Sequence, residues 1–259
     1  MEKKNLTLSY SLSIILLTFV LQSCTPNTHS PLTIATAANM QFAMDSLTHA
    51  FETETGIPVE TVISSSGKLT AQIREGAPFD LFISADLKYP QALFGEGLTL
   101  EKPKVYARGK LVLWDLRSNE KPEIERLVHS EIKHIAMANP QTAPYGSAAI
   151  EVLNYYHLYD SVQSKLVFGE SIAQTNQFVV SGAAELGFTA KAVVLSPELK
   201  GKSYWTEIPA ETYSPIEQGV VILKNRAQNI TSARQFYDFL FSPKGKEILN
   251  TFGYETDTE

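Results

Sequence analysis

Residues 32–83 read LTIATAANMQFAMDSLTHAFETETGIPVETVISSSGKLTAQIREGAPFDLFI, and this stretch decides the fold. It contains three short apolar runs with the length of β-strands, at 32–36, 58–63 and 79–83. Between the runs, apolar residues recur at helical spacing through 40–55 and 69–76. Strands that alternate with helices in this way predict βαβ units and therefore an α/β fold with parallel strands.

The rest of the 259-residue chain continues this alternation. The run 105–114 is rich in apolar residues and contains Gly109, and a helix is expected over 149–156. Further strands are expected at 134–137, 166–168, 186–189 and 220–223, and two closing helices at 233–241 and 243–252. The length allows one large domain or two modest lobes.

The N-terminus has the features of an export signal. Lys3 and Lys4 precede an apolar run over 12–21, which is too short for a membrane-spanning helix, so residues 1–23 are expected to be a signal peptide. Cys24, the single cysteine, follows Leu-Gln-Ser in a pattern that resembles a bacterial lipoprotein box, so lipidation of Cys24 is expected. A plain secretory signal is the alternative. Residues 24–30 are polar and are expected to form a tether.

The charge balance excludes one class of partner. The chain has 22 Lys and Arg against 28 Asp and Glu, a formal net charge of -6, and no basic cluster. Because affinity for nucleic acids comes mainly from clustered Lys and Arg, no nucleic-acid partner is expected.

Three predicted strand-to-helix junctions carry small or hydroxyl-bearing residues: AAN at 37–39, SSSG at 64–67 and PYGS at 144–147. Parallel sheets bind ligands at the carboxyl ends of their strands, where backbone N–H groups of helix N-termini collect. Each junction alone is also explained by N-capping. Together, with Lys68 as the only nearby cation, the three junctions favour an anion held by uncharged donors.

Enzyme motifs are mostly absent. Ser65 and Lys68 have the Ser-x-x-Lys spacing of penicillin-recognising serine enzymes, but the companion Ser-Asp-Asn and Lys-Thr-Gly elements are missing. The five histidines form no i, i+4 pair that indicates a zinc helix. These motifs therefore support neither a serine enzyme nor a zinc enzyme, and no enzyme activity and no cofactor are expected.

Five segments, in order and spacing, resemble the periplasmic molybdate-binding proteins of ABC transporters. They are AANMQFAM at 37–44, SSSGKLTAQI at 64–73, GAPFDLFISAD at 76–86, ANPQTAPYG at 138–146, and the closing helix from SPKG at 242–245 to FGY at 252–254. The resemblance implies a two-lobed periplasmic binding protein of type II topology, with the ligand in the interlobe cleft. Lobe one would be 31–107 and 220–259, and lobe two 108–219.

The resemblance also implies a set of oxyanion-binding residues. Asn39, Ser66 and Tyr145 fall on the family's contact positions, and a backbone contact falls near Ile172. Where some members place a tyrosine hydroxyl, this chain has Ala190. That contact would be lost, or replaced by Tyr145 or by the Asn39 side chain. Substituting Ser66 or Asn39 by alanine is expected to weaken binding and to leave the melting temperature of the free protein nearly unchanged.

The function implied is capture of molybdate, and of tungstate with the same shape and charge, for delivery to an ABC permease. The protein would be a monomeric lipoprotein, anchored in a membrane on the periplasmic side of the cell envelope. Alternatives are a binding protein for another tetrahedral oxyanion such as sulfate, a serine enzyme built on Ser65 and Lys68, and a receptor for a carboxylate ligand. The last needs an arginine, for which Arg74 and Arg108 are the candidates.

Overall fold

Two five-stranded sheets organise the computed structural model, which describes residues 30–224 and 229–257. The predicted signal peptide, Cys24 and all of the predicted tether except Ser30 lie outside the described residues. The strands are β1 Leu32–Ala37, β2 Val59–Ser64, β3 Leu81–Ile83, β4 Lys104–Gly109, β5 Leu111–Asp115, β6 Ile135–Ala138, β7 Leu166–Gly169, β8 Leu186–Ala190, β9 Tyr204–Glu207 and β10 Ile216–Ile222.

The first sheet has the order β2-β1-β3-β10-β4 and the second the order β7-β6-β8-β5-β9. In the first sheet β1 pairs in parallel with β2 and β3, and in the second β6 pairs in parallel with β7 and β8. Parallel pairs are therefore present, as the βαβ pattern predicts. Each sheet also contains an antiparallel strand: β10 runs antiparallel to β3 and β4, and β5 runs antiparallel to β8 and β9. We call the first sheet with its helices the first lobe, and the second sheet with its helices the second lobe.

The chain crosses between the lobes twice. The apolar run at 105–114 contributes to two strands: β4 belongs to the first sheet, β5 belongs to the second, and Lys110 lies between them. The return crossing lies between β9 and β10. The lobe boundaries expected from the sequence, 107/108 and 219/220, fall inside β4 and β10, which both belong to the first sheet.

Helices connect the strands and cover the sheets. They are α1 Gln41–Thr55, α2 Ser66–Arg74, α3 Lys88–Gly95, α4 Pro144–Tyr155, α5 Tyr159–Val162, α6 Ile172–Val180, α7 Lys191–Val194, α8 Ile230–Phe241 and α9 Pro243–Thr251. In α1 the residues at helical spacing, Ala43, Met44, Leu47 and Phe51, are fully buried, which is the amphipathic pattern that predicted the helix. Neither α3 nor α6 was predicted from the sequence.

Each lobe has an apolar core. In the first lobe, α1, α8 and α9 pack their buried side chains against β1, β3 and β10, with Phe51 in edge-to-face contact with Phe236 and Phe239. In the second lobe, the core includes Leu113, Met137, Leu153 and Phe188. Among the described residues, no helix combines the length and apolar character needed to cross a membrane.

Candidate functional site

A small cavity lies where the two lobes meet. Its wall comes from the segments that follow the carboxyl ends of parallel strands in both lobes, the place where α/β sheets bind ligands. In the first lobe these are β1, β2 and β3, and in the second β6 and β7. The lining residues are Ala37, Ala38, Asn39, Ser65, Ser66, Ala85, Ala143, Pro144, Tyr145 and Ile172.

Four of the five residues singled out in the sequence line this cavity. Asn39 and Ser66 come from the first lobe, and Tyr145 and Ile172 from the second. All four are buried. Ala190 does not line the cavity: it ends β8, pairs with Leu111, and lies in the apolar core of the second lobe. The structure therefore brings Asn39, Ser66, Tyr145 and Ile172 together at the cavity. Ala190 is not part of the cavity lining.

Helix N-termini supply the donors of the site. Ser66 and Ile172 are the first residues of α2 and α6, and Tyr145 is the second residue of α4. The first N–H groups of a helix have no partner inside it, and within residues 30–224 and 229–257 the N–H groups of these three residues have none elsewhere. Each N-terminus also carries about half a unit of positive charge. Three of them from two lobes form a site suited to an anion.

The Ser66 hydroxyl is oriented by the first lobe. Its Oγ accepts a hydrogen bond from the backbone N–H of Ala85 at 3.0 Å, and Ala85 itself lines the cavity. A serine hydroxyl has one hydrogen to donate in addition to the bonds it accepts. The accepted bond fixes the oxygen, and the hydroxyl hydrogen remains available to a ligand.

The side-chain amide of Asn39 is hydrogen-bonded within the protein. Its Nδ2 donates to Oε1 of Gln218 at 2.9 Å and to the hydroxyl of Tyr254 at 3.0 Å, which uses both amide hydrogens. The Tyr254 hydroxyl donates back to the Asn39 carbonyl oxygen at 2.9 Å. The structure thus differs from the expected side-chain contact: Asn39 has its backbone N–H, and not its side-chain amide, to offer a ligand.

Gln218 extends this network to the second lobe. Its Oε1 also accepts from the Tyr106 hydroxyl at 2.8 Å, and its Nε2 donates to the Tyr145 hydroxyl at 3.3 Å. The Tyr145 ring reaches so close to β4 that a Cβ added at Gly109 would overlap its hydroxyl. Burial raises the pKa of Tyr106, Tyr145 and Tyr254 alike, so all three stay neutral. Tyr145 therefore presents its backbone to the cavity while its side chain joins the network.

Within residues 30–224 and 229–257, no charged side chain lines the cavity. Lys68 forms an ion pair with Glu170 of the second lobe. The two arginines considered for a carboxylate ligand are engaged at the surface, Arg74 with Glu96 and Arg108 with Glu217 and Asp257. In the part of the chain that the structure describes, no group of three or more His, Cys, Asp or Glu side chains is placed to hold a metal ion.

Besides the hydrogen bond from Gln218 to Tyr145, three further contacts between described residues join the lobes beside the cavity. The Gly67 N–H donates to the carbonyl oxygen of Thr142 at 2.9 Å, and the Tyr89 hydroxyl donates to the carbonyl oxygen of Gln141 at 3.1 Å. The ion pair of Lys68 with Glu170 is the third contact. The structure is therefore closed over the cavity.

The geometry does not support the serine-enzyme alternative. A serine nucleophile needs a base within hydrogen-bond distance. The Ser65 Oγ has no hydrogen-bond partner among the described residues, and the Lys68 ammonium is paired with Glu170 instead. Ser65 and Lys68 thus lack the contact on which that chemistry depends.

Two α/β lobes that enclose a small ligand cavity are the architecture of a two-lobed binding protein. The family model described as bacterial extracellular solute-binding protein matches residues 32–255. The molybdate-binding protein ModA of Azotobacter vinelandii is 40% identical over 224 residues, which cover 85% of this chain and 88% of that protein. A putative ABC transporter substrate-binding lipoprotein of Bacillus subtilis, YvgL, is 28% identical over 96% of this chain and 98% of its own length.

The fold agrees with these matches. The solved structure of the Azotobacter vinelandii periplasmic molybdate-binding protein has a TM-score of 0.81 and 36% identity, covering 88% of this chain and all of that one. The chain therefore belongs to the bacterial extracellular solute-binding proteins. Both relatives are named as binding proteins and not as enzymes.

Substituting Gly67 by alanine tests the closed contact. An added Cβ would lie 2.9 Å from the Tyr89 hydroxyl and 3.0 Å from the Thr142 Cα, so the closed contact would have to widen by a few tenths of an ångström. Overpacking of this kind costs about 1–3 kcal/mol, which corresponds to a loss of ligand affinity of roughly five- to a hundredfold. Titration calorimetry measures the change. The matched control is Gly95→Ala at the end of α3, where an added Cβ meets nothing within 4 Å. Equal affinities of the two variants would contradict closure at Gly67.

Substituting Asn39 by alanine tests the buried network. The change removes two hydrogen bonds and leaves the Tyr254 oxygen short of a donor, so we expect the free energy of unfolding to fall by about 1–3 kcal/mol. This differs from the unchanged stability expected from the sequence. Urea unfolding of the ligand-free protein measures it, with Asn154→Ala at an exposed position of α4 as the control. A variant as stable as the control would show that the network contributes nothing.

Proposed function

We propose that this protein captures molybdate or tungstate outside the cytoplasmic membrane and delivers it to an ABC permease. The observation that carries the proposal is the cavity between the lobes, whose wall, as far as the chain is described, offers helix N-termini and hydroxyl groups but no charged side chain. The name of the relative with 40% identity supports the choice of ligand.

A tetrahedral dianion matches these donors. Molybdate has four acceptor oxygens and no proton at neutral pH, so its site has to supply hydrogen-bond donors. The proposed donors are the backbone N–H groups of Asn39, Ser66, Tyr145 and Ile172, and the Ser66 hydroxyl. A hydrogen bond to a charged group is worth about 1.5–3 kcal/mol, and partly buried helix dipoles add up to about 2 kcal/mol each. Several such terms compensate the loss of water around the anion.

Donors without acceptors also select among oxyanions. Hydrogen phosphate carries a proton that needs an acceptor, but the cavity would offer it only hydrogen-bond donors. Its hydroxyl group would then be buried without a partner, which costs about 1–3 kcal/mol. Sulfate has no such proton and is the alternative ligand. It is a smaller tetrahedron, so it would be rejected only if the closed wall holds its donors too far apart for it.

Closure couples binding to transport. Donors from both lobes would contact one anion, so the anion binds the closed state better than the open state and shifts the equilibrium toward it. The lobes, expected from the sequence at 31–107 with 220–259 and at 108–219, would move about the two crossings of the chain, one at Lys110 and one between β9 and β10. The closed form would then be the state that the permease recognises.

Anchoring at Cys24 would keep the protein near its permease. The lipoprotein-box pattern before Cys24 supports this proposal, as does a relative named as a lipoprotein. Residues 24–30 would then serve as the tether, and one monomer would serve one permease at a time on the periplasmic side of the envelope.

An oxyanion panel in titration calorimetry tests the ligand. We expect one site per chain for molybdate and for tungstate, with phosphate and sulfate weaker by about tenfold or more, because one unmet hydrogen bond is worth at least that factor. Sulfate binding as tight as molybdate binding would favour the alternative oxyanion receptor. No heat with any oxyanion would refute the anion site.

Expression of the full chain in a bacterial host tests the anchor. The wild-type protein is expected in the membrane fraction with a mass increased by the lipid, and the Cys24→Ser variant in the soluble extract. A double acyl chain gives stable anchoring where one chain does not. Mass spectrometry of the N-terminal peptide measures the modification. An unmodified Cys24 in the mature chain would leave a plain secretory signal as the explanation.

A further inference from the structure

The Ser65 hydroxyl is a buried polar group that the site described so far does not use. Ser65 lines the cavity and is 3% exposed, yet its Oγ has no hydrogen-bond partner in residues 30–224 and 229–257. Most buried polar groups in proteins are paired, because leaving one unpaired destabilises the folded protein. An exception of this kind at the wall of a ligand cavity points to a group that the ligand itself would satisfy.

The backbone does not prevent Ser65 from pairing. Ser65 is the N-cap of α2, a position where serine normally accepts from a backbone N–H of the first turn. Ser171 caps α6 and Ser242 caps α9 in this way. Ser242 has φ -68° and ψ 161°, close to the φ -70° and ψ 150° of Ser65. The same local conformation thus permits a cap that Ser65 does not form.

The two neighbouring serines differ in what holds them. The Ser66 Oγ is fixed by the Ala85 N–H, whereas the Ser65 Oγ accepts no bond from the described residues and its hydroxyl is free to turn. A free hydroxyl can donate its hydrogen to an acceptor placed in the cavity.

We propose that the Ser65 hydroxyl donates a hydrogen bond to the bound oxyanion, beside the Ser66 hydroxyl. This rests on the proposed function, since it adds a donor to the same site. In the closed structure no described residue accepts a hydrogen bond from this hydroxyl, and the anion would supply that acceptor. Ser65 therefore contributes to affinity and contributes nothing to the stability of the free protein.

The test compares Ser65→Ala with Ser196→Ala. Ser196 is fully buried, its Oγ is likewise without a partner in the described part of the chain, and it lies in the second lobe outside the cavity wall. Both variants remove an unpaired hydroxyl, and both are expected to melt at or above the temperature of the wild-type protein. In titration calorimetry with molybdate, Ser65→Ala is expected to bind about ten- to a hundredfold more weakly, and Ser196→Ala as tightly as wild type.

Each other outcome decides a different question. Wild-type affinity in Ser65→Ala would overturn the inference and leave the proposed function intact. A melting temperature of ligand-free Ser65→Ala well below that of Ser196→Ala would also overturn it, because the hydroxyl would then have a structural partner. A wild-type protein that binds no oxyanion would refute the proposed function before either variant is considered.

Discussion

The structure depends on one constraint: backbone N–H groups at helix N-termini are left without partners around a small buried cavity. These N–H groups come from both lobes. Such groups are costly to bury unless something accepts their hydrogen bonds. The first turns of α2, α4 and α6 meet there because each helix follows a parallel strand, and parallel strands end at the same edge of their sheet. The position of the site is therefore a consequence of βαβ topology, and the small residues of the wall let the backbone itself face the cavity.

The buried network behind the wall keeps these groups in place. Asn39 follows β1, Gln218 lies on β10, and Tyr254 comes from the segment after the last helix, so residues far apart in sequence share one cluster of hydrogen bonds. Through the Tyr145 hydroxyl the cluster extends to the second lobe. Satisfied polar networks in a low-dielectric interior rigidify their surroundings. A rigid first lobe allows closure to be a movement of whole lobes and not a rearrangement of the wall.

The sequence predicted the parts of the fold that depend on local pattern. Residues 32–83 carry their strands and helices in apolar spacing, and the junctions at 37–39, 64–67 and 144–147 all contribute to the cavity wall. The split of 105–114 into β4 and β5 was not predicted, because one apolar run does not reveal that its two halves pair with different sheets. Likewise, the partners of the Asn39 side chain lie 179 and 215 residues away, so no local signal indicated that its amide was already engaged. Ser65 was named by itself only as part of an enzyme motif, although it also lies in the hydroxyl-bearing junction at 64–67.

The charged side chains near the site join the two lobes at the rim of the cavity and do not line the cavity itself. An ammonium group inside the cavity would attract every anion, whereas Lys68 is paired with Glu170 at the rim and joins the lobes there. The chain as a whole carries a formal charge of -6, so its long-range field repels the ligand that we propose. That field is screened beyond about 8 Å at physiological ionic strength. The attraction must therefore come from short-range donors, whose directions distinguish oxyanions in a way that net charge does not.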